Sequence, residues 1–440
     1  MRVVRENKRG LSPTTRHTRR SAIAGIIGNV LEWYDFAVFG YYAPIIGTLF
    51  FPSESKYAAL IKAYGVFAAG YMMRPMGGAI FGHMGDRMGR KKALQVSILM
   101  MAIPTACIGL VPGYDRIGLA APLILIFLRL LQGISVGGEF IGSMSFSTEI
   151  APPNRRGFYG SLTTLSAVGG IMIGSAVATA MQNFLSQESM LSWGWRLPFL
   201  AGIAIAGFGL WMRKGMIEPP GFKKLKATEN VYKSPVLQVI RHMPRRIGHA
   251  AALVVLFGGG FYMLFVWWPT YLTHMVKPPV PHALMINTIV TLAMLVLIPI
   301  SGHFSDKVGR KKMLVASCAG IAVVAYPLFM WSDHGVFQSA LAAQLIFALI
   351  FCNIQSSMPA TLAEMFPTGV RFSGIALGYN LTLALVGGTA PMVCTWLVAV
   401  SGDIASPAYY LIVMALVSFV AAIKTKPMEG VELDQVGNSS

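Results

Sequence analysis

The chain has 440 residues, 55% of them hydrophobic and only 12% charged, with a formal net charge of +18. A soluble protein of this length carries about twice that charged fraction, so the composition excludes an ordinary soluble enzyme and fits an integral membrane protein. The positive charge lies before Ser21 and in short clusters between apolar runs, with no basic face of interleaved aromatics, which argues against a nucleic-acid partner.

In chain order, apolar stretches long enough to span a bilayer fall near 21–48, 60–81, 93–112, 121–148, 158–181, 196–213, 247–272, 283–301, 313–331, 338–363, 372–400 and 407–423. They predict an all-α protein with twelve transmembrane helices. The first run is too long for a signal-peptide core and contains Glu32 and Asp35, so it is expected to be an uncleaved helix. With odd helices running outward, 29 of the 36 Lys and Arg fall on the tail and the even-to-odd connections. The positive-inside rule then places both termini in the cytoplasm. The expected layout is a basic tail over 1–20, six helices over 21–213, a basic inner-surface linker over 214–246, six more helices over 247–424 and a short tail over 425–440. Cys107, Cys318, Cys352 and Cys394 lie in apolar runs without CxxC or metal-ligand spacing. They read as buried free thiols, with no metal and no cofactor expected.

A duplication is visible. GHMGDRMGRKK at 82–92 recurs as GHFSDKVGRKK at 302–312, and EIAPPNRRGFYG from Glu149 recurs as EMFPTGVRFSG from Glu364. In each half the first motif joins helices two and three, and the second joins helices four and five. Two six-helix halves follow.

The loop from Gly82 through Asp86 and Arg90 closely resembles that of the major facilitator superfamily, and its second copy around Asp306 and Arg310 sits where that family repeats it. GNVLEWYDF (28–36), GYMMRPMGG (70–78), RLLQGISVGGE (129–139) and GWRLPF (194–199) resemble its metabolite:proton symporter branch. The likeness covers about residues 21–424. It implies two six-helix bundles around a central cavity that opens alternately to either side, in a bacterial cytoplasmic membrane. Members of the branch carry organic acids or zwitterions such as proline and betaine. Osmosensing members also have a coiled-coil C-terminal extension; the stretch after 423 is short and shows no heptads, which weakens that reading. The loop motif implies a gate. Asp86 can pair with Arg90 or accept backbone donors of a neighbouring helix terminus. Asp306 with Arg310, and Glu149, Arg156, Glu364 and Arg371 of the second motif, are the corresponding gate candidates.

Six charges lie within the spans: Glu32, Asp35, Lys62, Arg74, Arg129 and Glu139. Each costs at least ~2.5–3.5 kcal/mol at the bilayer centre, so each is a functional candidate. Glu32 is ~18 Å and Asp35 ~22 Å along the first helix from Arg20, and their i, i+3 spacing puts both on one face. Two nearby carboxylates in a low dielectric resist ionising together, so one is expected to hold a proton towards neutral pH. That is what proton coupling requires. Arg129 and Glu139 join this expected network, while Arg74 either holds an anionic substrate or neutralises a carboxylate. Lys62 is expected to snorkel.

The second half offers hydrogen bonds and aromatic surface at Tyr262, Asn353, Gln355, Tyr379 and Asn380, the candidate substrate contacts. Gly170-xxx-Gly174 and Gly374-xxx-Gly378 permit close helix approach. Helix five lacks the Gly-Pro motif of drug antiporters, which disfavours export. No HExxH, GxSxG or P-loop is present, so no enzyme activity is expected. The leading expectation is proton-driven uptake of a small organic acid by a monomer whose partners are substrate, protons and membrane lipids. Symport of a zwitterion such as proline or betaine is the alternative. An uncoupled facilitator or a transporter-like receptor would be the alternative in another class.

Overall fold

Proline, glycine and charge set the ends of the long helices. The computed structural model describes the backbone of residues 13–53, 55–88, 90–213 and 235–427. Side chains are described from Gly28 onward within those ranges, except at 82–83, 85–94, 205–206, 208–213 and 235. The long helices are α1 (Pro13–Phe50), α2 (56–88), α3 (Arg90–Leu110), α4 (Ala120–Glu149), α5 (Arg156–Phe184) and α6 (Leu197–Arg213). They continue as α7 (Pro244–His274), α8 (Ala283–Val308), α9 (Arg310–Ser332), α10 (Phe337–Met365), α11 (Thr368–Ser401) and α12 (Ser406–Lys424). No strand occurs among the described residues. Among those residues α4, α5 and α7 to α12 are long and apolar enough to cross a membrane.

Each apolar stretch has become a helix, with ends shifted by a few residues. Two differences are larger. α1 begins at Pro13, inside the expected tail, because proline suits a first helical turn and nothing breaks the helix behind it. The linker region 214–246 ends in a helix, Pro235–His242, and α7 starts at Pro244. Val239 on that short helix is fully buried, so its apolar side packs inward. The rest of the expected linker, and the tail from 428 onward, lie outside the described residues.

Two helices break in mid-course. In α2 a single turn residue, Met73, separates Lys56–Met72 from Arg74–Met88. Pro75 explains this, since it has no N–H for the carbonyl one turn back and disfavours helix in the residue before it. In α4 the break is Val136–Gly138, ahead of Glu139.

The contacts between the halves include two equivalent helix pairs, α5 with α8 and α2 with α11. A shift of six helices converts one pair into the other, so the duplicated sequence has folded into duplicated contacts. Within the first half, α2 and α4 cross with their backbones nearly touching. A Cβ on Gly133 would collide with the Gly70 carbonyl, and one on Gly77 with the Ile134 carbonyl. Gly133→Ala is therefore expected to force α2 from α4 and lower the thermal midpoint by several degrees, measured on purified protein in detergent. An unchanged midpoint would show that the crossing tolerates a methyl group.

Candidate functional site

The buried charges of the first half sort into two separate networks. Glu32 on α1 accepts a hydrogen bond from Arg74 Nη2 at 2.8 Å, and both side chains are almost wholly buried. The break at Met73 delivers Arg74 to this position. Its guanidinium also lies against the Tyr71, Phe36 and Trp33 rings, 5.0, 5.7 and 5.9 Å from their centroids. Nε and Nη1 of Arg74 have no hydrogen-bond partner among the described residues.

Asp35, three residues on, turns to other helices. Its Oδ2 accepts from Thr105 Oγ1 on α3 at 2.9 Å. Gln132 Nε2 on α4 donates to the same Thr105 oxygen, and Arg129 Nη1 donates to Gln132 Oε1 at 2.8 Å. Arg129 lies over the Phe39, Phe36 and Phe67 rings at 4.2, 4.8 and 5.4 Å. Such cation–π contacts let a guanidinium sit in a low dielectric. The expected pairing of both carboxylates in one cluster is thus resolved into a direct ion pair for Glu32 and a relayed one for Asp35. Glu139 is half-buried in the first turn after the α4 break, and Lys62 is exposed.

Between the halves lies a cavity of about 10 Å³, measured as space open to a water's centre. That is room for about one water. Six of its lining side chains are aromatic: Trp33, Phe140, Phe257, Phe261, Tyr262 and Tyr379. Gln355 supplies the amide, and among the described residues no lining side chain is charged. Trp33 stacks on Tyr262 with centroids 6.0 Å apart, and Tyr379 stacks on Phe140 at 5.4 Å. Tyr71 donates a short hydrogen bond to the Tyr262 hydroxyl, tying α2 to α7. Three π-helical stretches, Val255–Gly260, Met263–Trp267 and Leu383–Gly387, run past this space. Such stretches carry a looser hydrogen-bond register and recur at functional sites.

Of the expected substrate contacts, Tyr262, Gln355 and Tyr379 meet at the cavity. Asn353 and Asn380 go elsewhere. Asn353 Oδ1 accepts from Ser301 on α8 at 2.8 Å, and Asn380 Nδ2 donates to the carbonyl of Gly137 at 2.8 Å. The α4 break frees that carbonyl, so Asn380 ties α11 to α4. Trp33 and Gln132 lie within the motifs GNVLEWYDF and RLLQGISVGGE but were not singled out as site residues, and Thr105 carries only the signal of a polar residue in an apolar run.

The end of the bundle with the basic loops is closed by ions. Arg371 Nη1 donates to Glu149 Oε1 at 2.8 Å, and Arg156 Nη1 to Glu364 Oε1 at 3.2 Å. Each copy of the second motif therefore lends its glutamate to the arginine of the other. Arg310 joins Glu364 at 3.0 Å and Asp306 at 3.2 Å. Asp306 also accepts the backbone N–H groups of Gly157 and Phe158, at 2.7 and 2.9 Å. These groups open α5, where the helix dipole favours an anion. The side chains of Asp86 and Arg90 lie outside the described residues.

Neutral hydrogen bonds close the opposite end. Pro269 has no N–H for the Phe265 carbonyl one turn back, and the Tyr41 hydroxyl donates to it instead at 2.8 Å. Asn287 donates to Tyr41 at 2.8 Å, and Gln344 donates to Asn287 Oδ1 at 2.7 Å and to the Leu264 carbonyl at 2.8 Å. α1, α7, α8 and α10 are thereby knotted together.

Duplicated halves around a small cavity, with separate closures at its two ends, define a membrane transporter. Residues 21–230 match the sugar (and other) transporter family and residues 279–435 the Major Facilitator Superfamily. The glycine betaine/proline/ectoine/pipecolic acid transporter OusA of Dickeya dadantii is 33% identical over 429 residues, covering 94% of this chain and 85% of that one. The proline/betaine transporter of Escherichia coli K12 is 33% identical over 417 residues, 93% of this chain and 83% of its own. Among solved structures, the proton:xylose symporter XylE bound to 6-bromo-6-deoxy-D-glucose superposes with a TM-score of 0.76. It shares 18% identity, over 97% of this chain and 99% of that chain, a likeness of fold alone. The chain belongs to the major facilitator superfamily; it is a multi-pass secondary transporter and not an enzyme.

Proposed function

We propose that the protein takes up a small zwitterionic osmolyte of the betaine or proline kind together with protons, by alternating access between its halves. The observation that carries this reading is the lining of the cavity, six aromatic rings and one amide with no charged side chain among the described residues. Quaternary ammonium groups bind in aromatic enclosures because ring faces attract a weakly hydrated cation. The carboxylate of such a substrate would find the unpartnered N–H groups of Arg74, whose guanidinium rests against the Trp33 ring. The relatives named for betaine and proline support the same class. A small organic acid, the leading expectation from the sequence, is less well served, most of all one with several carboxylates. The latter would need several cations at the cavity, and Arg74 already shares its charge with Glu32.

In this reading the halves over 21–213 and 247–424 rock about the cavity, and twelve spans leave both termini in the cytoplasm of a bacterial inner membrane. The ionic closure then faces inward and the neutral knot outward, with Asp35 and Glu32 as the proton-coupling carboxylates.

The test is purified protein in liposomes with an imposed inward proton gradient. Labelled glycine betaine and proline are expected to accumulate and citrate is not; citrate accumulating in their place would overturn the substrate class. Uptake insensitive to the gradient would make the protein a facilitator. Trp33→Ala removes a desolvated cation–π partner worth about 2 kcal/mol. It should weaken betaine binding about 30-fold, and parent-like affinity would remove Trp33 from the ammonium site.

A further inference from the structure

The Thr105 hydroxyl has one proton and two acceptors within reach. Asp35 Oδ2 is 2.9 Å away and the Met101 carbonyl, one turn back on α3, is 2.8 Å away. The same oxygen accepts from Gln132 Nε2. A threonine hydroxyl can donate once and accept twice. When Asp35 is ionised, Thr105 donates to the carboxylate and accepts from Gln132. When Asp35 is protonated on Oδ2, Thr105 accepts from the acid and from Gln132 and gives its own proton to Met101. Both states are fully bonded at Thr105, and only the direction of one hydrogen bond differs.

The remaining surroundings leave Thr105 as the adjustable partner. Asp35 Oδ1 is buried without any hydrogen-bond partner, and on α6 it faces the backbone at Gly202. From α4, Arg129 acts on Asp35 by its charge and is linked to it by hydrogen bonds through Gln132 and Thr105. From α2, Arg74 is committed to Glu32. Beside Asp35 on α1, the Tyr34 hydroxyl donates to the Pro198 carbonyl of α6 at 3.1 Å. Among the described residues no second donor to the Asp35 carboxylate stands in for Thr105.

We propose that Thr105 is the positioning residue of the proton site, reversing one hydrogen bond as Asp35 gains or loses its proton and passing that change through Gln132 to Arg129. The proposal rests on Asp35 carrying the coupled proton, as in the reading above. A hydrogen bond to a carboxylate is about twice as strong as a neutral one. Removing the hydroxyl therefore harms ionised Asp35 more than protonated Asp35, and the release of the proton needs a higher pH.

The experiment compares Thr105→Val, Thr105→Ser and Asp35→Asn in liposomes with labelled glycine betaine. It reads gradient-driven accumulation across a pH series, and substrate exchange without a gradient. Thr105→Val is expected to exchange like the parent, to accumulate on the order of ten-fold less, and to move the pH midpoint up by on the order of half a unit or more. Thr105→Ser restores both, because it keeps the hydroxyl. Should Thr105→Val not reach the membrane, Thr105→Cys, a weaker donor, is expected to show a smaller displacement of the same sign. A parent-like pH profile and accumulation in the valine variant, or in the cysteine variant where valine does not fold, overturns the role of Thr105 when Asp35→Asn is uncoupled. Parent-like accumulation by Asp35→Asn would instead overturn the proton-site reading beneath it.

Discussion

Glu364→Gln is expected to open the end of the bundle that carries the basic loops. The carboxylate is buried, and its two oxygens hold Arg156 of the first half and Arg310 of the second. Glutamine keeps the shape but withdraws the charge from two buried guanidinium groups. Removing one partner of a buried ion pair costs about 3–5 kcal/mol. That cost falls on the conformer in which the halves touch here, since only there are both arginines desolvated around one anion. Moving a two-state equilibrium from 1:99 to 99:1 takes about 5.5 kcal/mol, so the loss makes the open conformer a large fraction of the population. The measurement is thiol labelling from the basic side of a cysteine at Ser161, which is buried against Gly302 where α5 meets α8. Labelling should speed up in Glu364→Gln while net transport slows. Labelling at the parent rate would mean that the cross-half pairs do not hold this end shut.

The second large effect is at Arg74. Its replacement by alanine takes from Glu32, buried in a low dielectric, the guanidinium 2.8 Å away. A loss of about 3–5 kcal/mol of stability follows. Adding Glu32→Gln removes the buried charge that Arg74 had balanced, so the double variant should regain most of that stability. Betaine affinity should not return with it. The substrate carboxylate would have lost the N–H groups it used, a difference of about 2–5 kcal/mol for a buried charge pair. Arg74→Lys should fall between, because lysine keeps the charge and lacks the fork. Thermal midpoints and direct binding on the single and double variants separate the two roles. Parent-like betaine affinity in the double variant would confine Arg74 to its partnership with Glu32.

Helix positions, the duplication and the buried charges Glu32, Asp35, Arg74 and Arg129 were legible in the sequence, whereas the burial of Arg156, Arg310, Glu364 and Arg371 was not. Apolar run length and charge placement are one-dimensional quantities, and the bilayer acts on them almost independently of what else the chain does. The repeat marked Glu149, Arg156, Glu364 and Arg371 as corresponding gate candidates, while the exchange of glutamates between the two copies came from the tertiary structure. Partner choice was not legible. Glu32 and Asp35 share a helical face by spacing, yet a break at Met73 brings Arg74 to one and the α3 crossing brings Thr105 to the other. Asn353 and Tyr379 were both candidate substrate contacts, with Asn353 favoured by its place on helix ten. One bonds Ser301 on a neighbouring helix and the other lines the cavity. Sequence settles which charges within the spans must be buried; helix rotation and crossing depth, set by glycine contacts such as Gly133 on Gly70, decide what each buried group touches.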